Sequence, residues 1–363
     1  MKFIDEYKDG NLARKIAAQI ATRSGKDINI MEFCGGHTHA IMRYGIRTML
    51  PQTIDLRSGP GCPVCVTANS DLDKVIAIAQ LPEVIMTTFG DMVRVPGSNS
   101  SLQQAKAEGS DIRVVYSALD ALEIARNNTQ KQVVLVGIGF ETTAPTIAAA
   151  IIQAEKEGLK NFTTLSLLKC TPPVIRALLQ SGELRLDGII GPGHVSAIIG
   201  SYPYNFIPDE YGVGCVISGF EPLDILLCID RLVQQHELGR QTVEISYRRA
   251  VKPEGNIKAL EIMDKVFVPQ AADWRGIGVI PDSGLGLRDS YERFDTDKLF
   301  KVSLKPAKEP AGCRCGEVIR GVLNPSQCGL FGSVCTPESP VGPCMVSGEG
   351  ACAAHYRYRM DDE

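Results

Sequence analysis

The chain has 363 residues, enough for two or three domains of ordinary size. Apolar residues at 44% and charged residues at 22% are typical of a folded globular protein and exclude wholesale disorder, collagen and coiled coil. Lys and Arg number 38 against 42 Asp and Glu, with no basic run, so no nucleic-acid partner is expected.

In chain order, Met1 to Gly10 carries Lys2, Asp5, Glu6 and Lys8 and no apolar run, so no secretory signal is expected. Strand candidates follow at 27–33, 84–89, 112–116, 133–138, 163–168, 186–190 and 215–218. Most are continuous apolar runs, the pattern of parallel strands covered on both faces. Helix candidates alternate with them. One spans 71–81 with Ser70 as N-cap, one begins near Pro145, and one spans 222–236 with Leu223, Leu226, Ile229 and Val233 on one face. The alternation predicts an α/β fold with parallel sheets. The longest uncharged stretch, 188–208, is broken by glycine and proline, so no spanning helix is expected and the chain reads as soluble and cytoplasmic.

Two tripeptide echoes fall at predicted strand ends. Gly139-Phe140-Glu141 recurs as Gly219-Phe220-Glu221, and Gly59-Pro60-Gly61-Cys62 recurs in kind as Gly191-Pro192-Gly193-His194. They suggest a duplicated architecture. Ligands of open α/β sheets bind beyond the carboxyl ends of strands, so these residues are expected to meet in one cleft. The expected division is 12–130 and 131–250 as two α/β domains facing a central cleft, then 251–363 as a small cysteine-rich domain reached through a linker at 305–310.

Five segments carry chemistry. Cys34-Gly35-Gly36-His37-Thr38-His39 puts a thiol beside glycine-turn and helix amides, which are expected to lower its pKa, with two imidazoles at hand. In Cys62-Pro63-Val64-Cys65 the pair either closes a redox-active disulfide or supplies half of a metal site, and zinc held by Cys34, His37, His39, Cys62 and Cys65 stays open. Gly137-Ile138-Gly139-Phe140-Glu141-Thr142-Thr143 is not a dinucleotide fingerprint, because Thr142 replaces the third glycine and Glu141 would face the pyrophosphate. Glu141 is either a proton-transfer group or part of a helix start. His194 follows an apolar strand in a glycine turn and is expected to face the cleft. Cys170, Cys215 and Cys228 read as core.

The fifth segment is the tail. Six of the 12 cysteines fall at 313, 315, 328, 335, 344 and 352. In a chain without a secretory signal, such a cluster reads as a metal centre, zinc or iron–sulfur. No P-loop string is present.

Taken together, Cys-Gly-Gly-His-Thr-His at 34–39, Gly-Pro-Gly-Cys-Pro-Val-Cys at 59–65, Gly-Phe-Glu-Thr-Thr at 139–143, Pro-Gly-His-Val-Ser at 192–196 and the cysteine tail resemble the HypD family of [NiFe]-hydrogenase maturation over essentially the whole chain. The resemblance implies a scaffold for assembling the Fe(CN)2CO fragment. It implies a [4Fe–4S] cluster in the tail, and a monomer that forms a hetero-complex with the chaperone HypC and the cyanide donor HypE. It makes Cys34 the iron-binding thiolate and Cys62 and Cys65 a redox pair fed by the cluster. His37, His39 and His194, with Glu141 beside them, would line the cleft. Cys315, Cys328, Cys335 and Cys352 are the expected cluster ligands, against Cys313 and Cys344. The competing readings are a zinc-dependent hydrolase and a thiol–disulfide oxidoreductase.

Overall fold

A computed structural model describes residues 5–358. Eleven strands form two parallel sheets and one hairpin. The strands are β1 (Ile28–Glu32), β2 (Ile54–Ser58), β3 (Val84–Thr88), β4 (Asp111–Val114), β5 (Gln132–Gly139), β6 (Phe162–Leu168), β7 (Gly188–Pro192), β8 (Gly214–Ser218), β9 (Val243–Ile245), β10 (Phe267–Trp274) and β11 (Gly278–Leu287). The first sheet has the order β2-β1-β7-β8-β9 and the second β4-β3-β5-β6, while β10 and β11 pair antiparallel. The α/β class and the parallel sheets are as the apolar runs predict. Strands β3 and β8 are buried at every position, as helices on both faces require.

Sheet membership does not follow the contiguous segments 12–130 and 131–250. The chain leaves the first sheet after β2, builds the whole second sheet, and returns to add β7, β8 and β9 beside β1. Residue 130 therefore falls inside the second sheet, between β4 and β5. Two packed faces cover the first sheet. Ile16 and Ile20 meet Leu226, Ile229 and Val233 on one side, and Phe33, Ile175, Tyr204 and Ile207 fill the other. The second sheet buries β5 between the helices Asn69–Ala79 and Ala144–Lys156.

The 251–363 region does not stand apart. Its helix Ile257–Val266 and its hairpin join the core of the second sheet, where Ser166 donates to the Leu285 carbonyl. Residues 301–310 have no regular structure, as expected of a linker, and are tied down where Asn69 donates to the Lys308 carbonyl at 2.8 Å. The helix expected over 71–81 is Asn69–Ala79 with Ala68 at its N-cap. Ser70 lies within it and donates to Asp273.

Candidate functional site

The carboxyl ends of both sheets open on one cleft, with about 640 Å³ of space. Gly36 and His39 line it from beyond β1, Pro63 and Val64 from beyond β2, Gly90 and Asp91 from beyond β3, and Gly139 and Thr143 from the end of β5. The tail closes it with Ser347, Gly348, Glu349 and Arg357.

Cys34 is the N-cap of the helix Gly35–Arg43 and is buried. A carboxylate behind it fixes its backbone. Glu32, at the end of β1, accepts the Cys34 N–H at 2.8 Å and the Thr38 hydroxyl. The Gly59-Pro60-Gly61 loop presses on it from β2, and the Gly35 N–H donates to the Gly61 carbonyl at 2.9 Å. A Cβ on Gly61 would lie 2.4 Å from the Cys34 nitrogen, so only glycine permits this approach. Cys62 follows directly, so Cys34 and the Cys62–Cys65 pair adjoin. Burial pushes the Cys34 thiol up to about 12, helped by the Glu349 and Glu32 charges and opposed by the Gly36 and His37 amides. This reverses the expectation of a lowered pKa, because desolvation outweighs the amide field.

Cys62 and Cys65 form a disulfide. Cys62 is the N-cap of the one-turn helix Pro63–Val66, and its sulfur accepts the Cys65 N–H at 3.2 Å. Cys65 Sγ lies 3.9 Å from the Pro343 carbonyl, on the tail side.

The three histidines diverge. His39 faces the cleft and meets the Tyr358 hydroxyl at 3.1 Å. His37 is fully buried, and its Nε2 lies 3.0 Å from the Gly219 carbonyl oxygen and 3.3 Å from that of Ser218. Burial lowers its pKa to about 4. His194 is exposed and stacks on Phe220. Neither His37 nor His194 is among the described residues lining the cleft. Of the zinc set left open, Cys62 and Cys65 are bonded to each other, His37 faces backbone carbonyls and His39 meets the Tyr358 hydroxyl, while Cys34 is free. Among the described residues no three His, Cys, Asp or Glu side chains are grouped to hold a single ion.

Glu141 is buried and accepts the Thr171 N–H at 2.8 Å and the Thr171 hydroxyl at 3.0 Å, which secures the start of the helix Thr171–Ser181. Burial raises its pKa to about 7 against those hydrogen bonds. It does not line the cleft among the described residues, and the bracing role fits its contacts. Cys215 and Cys228 are core residues with no exposure.

All six tail cysteines line one apolar cavity with Val318, Leu330, Phe331 and Met345. The Cys315 and Cys344 sulfurs are in contact, and the Val341 N–H donates to Cys335 Sγ at 3.3 Å. Hydrogen bonds from Cys313 and Cys344 hold Cys315 towards the thiolate and push the other two thiols up. This donor set of sulfur alone in an apolar pocket fits an all-thiolate iron–sulfur cluster. The geometry groups Cys313 and Cys344 with the four expected ligands.

A sequence model of the HypD family, described as "Hydrogenase formation hypA family", matches residues 11–359. The chain belongs to the HypD family. The hydrogenase maturation factor HypD of Rhizobium leguminosarum bv. viciae is 48% identical, covering 99% of this chain and 96% of its own. HypD of Cupriavidus necator is 46% identical, covering 99% and 97%, and HypD of Escherichia coli K12 is 42% identical, covering 100% and 99%. Among the described residues, no helix is long and apolar enough to cross a membrane.

Two residues at this HypD site escape motif reading. Glu32 lies two residues before the Cys34–His39 string, within the strand expected over 27–33. Phe220 hides in a tripeptide that also occurs at Phe140, in a different environment.

Proposed function

We propose that this HypD chain is the scaffold on which the Fe(CN)2CO fragment of [NiFe]-hydrogenase is assembled, in a complex with HypC and HypE, with Cys34 as the iron-binding sulfur. The observation that supports it most is the contact of Gly61 with the Cys34 backbone. Through it Cys34 and the Cys62–Cys65 disulfide, from separate strands, adjoin beside a cleft built by both sheets and the tail.

Ferrous iron carrying cyanide and carbonyl prefers soft thiolate ligands. A free Cys34 thiol, pushed up to about 12, stays protonated until a metal cation displaces its proton. Bound by two thiolates, one of them from the partner, the fragment is formally a dianion. The Gly36 and His37 N–H groups, which already favour the Cys34 thiolate, are placed to offset its charge. Interconversion of Cys62–Cys65 between disulfide and dithiol moves two electrons and two protons. Both cysteines are buried, which argues against attack on a bulky protein substrate and so against a general thiol–disulfide oxidoreductase.

The tail cavity would hold a [4Fe–4S] cluster through four of its six thiols. Such a cluster supplies single electrons. The Pro343 carbonyl beside Cys65, one residue from Cys344, brings this cavity next to the disulfide.

The test is infrared spectroscopy of the anaerobic complex with HypC. Cyanide and carbonyl stretches are expected in the wild type and lost in Cys34→Ala. Stretches that persist remove Cys34 from its role. Iron content and visible absorption should fall in Cys315→Ser and stay unchanged in Cys228→Ser. Equal loss in both would count against the tail as the cluster site.

A further inference from the structure

A buried cation joins the disulfide to the tail. Arg275 lies in the turn between β10 and β11, and its segment is laced to the residues that follow the disulfide. Trp274 pairs with Thr67 in an isolated antiparallel bridge, and the Arg275 N–H donates to the Val66 carbonyl at 2.9 Å. The guanidinium Nε–H donates to the Thr67 carbonyl at 3.0 Å, and one terminal nitrogen donates to the Asn69 side-chain oxygen. Carbonyls at the end of the helix Pro63–Val66 are satisfied in this way. The other terminal nitrogen meets Glu309 of the linker at 2.7 Å. The Arg275 side chain is 1% exposed and that of Glu309 56%, so water screens the carboxylate and not the guanidinium.

On its other side the segment touches the cysteine cavity. A Cβ on Gly276 would lie 2.3 Å from the Gly316 Cα, and one on Gly316 would lie 2.9 Å from the Gly276 Cα. The two backbones therefore meet with no room for a side chain, and Arg320 donates to the Gly276 carbonyl beside them. Arg275 and Cys315 are the chain neighbours of this glycine pair. After the hydrogen bonds from Cys313 and Cys344, the Arg275 charge further favours the Cys315 thiolate. No Lys, Arg, His, Asp or Glu is among the described residues lining the cavity, so within that lining nothing competes with this charge.

We propose that Arg275 sets the reduction potential of the centre in the tail cavity: held between the disulfide helix and Cys315, its charge favours the reduced form. This rests on the reading of that cavity as the [4Fe–4S] site. A cluster that has taken an electron carries one more negative charge, so a nearby cation raises its midpoint and a nearby anion lowers it.

A redox titration of the anaerobic full chain, followed by electron paramagnetic resonance of the reduced cluster, tests it. Arg275→Gln should lower the reduced-to-oxidised ratio at a fixed potential roughly tenfold, a midpoint about 59 mV more negative for one electron. Arg275→Lys, which keeps the charge and loses the planar fork, should stay near the wild type. Glu309→Gln should move the midpoint the opposite way, upwards, and by less. A merely mechanical role for Arg275 would shift the Gln and Lys variants alike, since both lose the fork. Equal shifts in those two, an unmoved midpoint in Arg275→Gln, or a Glu309→Gln midpoint that falls each overturn the proposal. Should Arg275→Gln not fold, Glu309→Gln at its exposed linker position decides: a rise supports the proposal, and no change or a fall overturns it. A wild type without iron or visible absorption would defeat the cluster reading and this proposal with it, whereas a cluster whose midpoint ignores both substitutions defeats only the part given to Arg275.

Discussion

Replacing Glu141 by glutamine separates a brace from a proton carrier. The native carboxyl is fully buried and its pKa is raised from 4.5 to about 7. The folded protein therefore holds a proton that the unfolded chain releases between those values. Stability from this group is present in acid and lost as pH rises through the window to about 7. At 1.36 kcal/mol per unit, the full loss is about 3 kcal/mol, an upper figure. Glutamine stays neutral, and its carbonyl can still accept the Thr171 N–H while its amide donates to the hydroxyl. Urea unfolding, followed by the single tryptophan, buried Trp274 in contact with Phe140, should give near-equal stabilities at pH 5. At pH 8 the variant should be more stable by about 2–3 kcal/mol. Glu32, raised to about 7 in the same way, contributes equally to both proteins and cancels. A difference independent of pH would refute the reasoning. Cargo loading should survive, and its loss in a stable variant would return Glu141 to the chemistry.

Two further predictions concern the seat of Cys34. Gly61→Ala would place a methyl 2.4 Å from the Cys34 nitrogen and 2.5 Å from its Cα. Overpacking of this kind costs about 1–3 kcal/mol. The melting temperature should drop and Cys34 should alkylate faster, as mass spectrometry would show; unchanged labelling would argue against the contact. Glu32→Gln removes an acceptor from either the Cys34 N–H or the Thr38 hydroxyl, at a cost of about 1–3 kcal/mol in urea melts at pH 8 before any gain from removing the buried charge. A variant whose Cys34 labelling is unchanged would show that the carboxylate does not hold the loop.

The fold was legible where burial is symmetric. Strands β1, β3, β5, β6, β7 and β8 read as apolar runs because helices cover both faces. Edge strand β2 alternates Ile54, Asp55, Leu56 and Arg57, and β9 is three residues long, so neither shows a run. Which sheet a strand joins has no local signal, hence the interleaving was invisible. The divergence of His37 and His39 was available in principle, since residues two apart on a helix point about 200° apart. The Cys34 pKa was not, because the close packing of Gly61 and the charge of Glu349 come from distant parts of the chain.

The Cys62–Cys65 pair is asymmetric, and the asymmetry assigns directions. Cys62 caps a helix and its sulfur already accepts the Cys65 N–H, so on reduction that amide stabilises a thiolate at Cys62. Cys65 points its sulfur at the Pro343 carbonyl, an acceptor that favours the protonated thiol. Cys62 is also the neighbour of Gly61, on the Cys34 side, whereas Cys65 is on the side of the cysteine cavity. Reduced protein should therefore alkylate first at Cys62. Cys65→Ser should keep Cys62 the reactive sulfur, since the residue-65 backbone amide remains, while Cys62→Ser should leave Cys65 slow to label. Labelling that begins at Cys65 would invert the polarity, turning the nucleophilic sulfur towards the tail and away from Cys34.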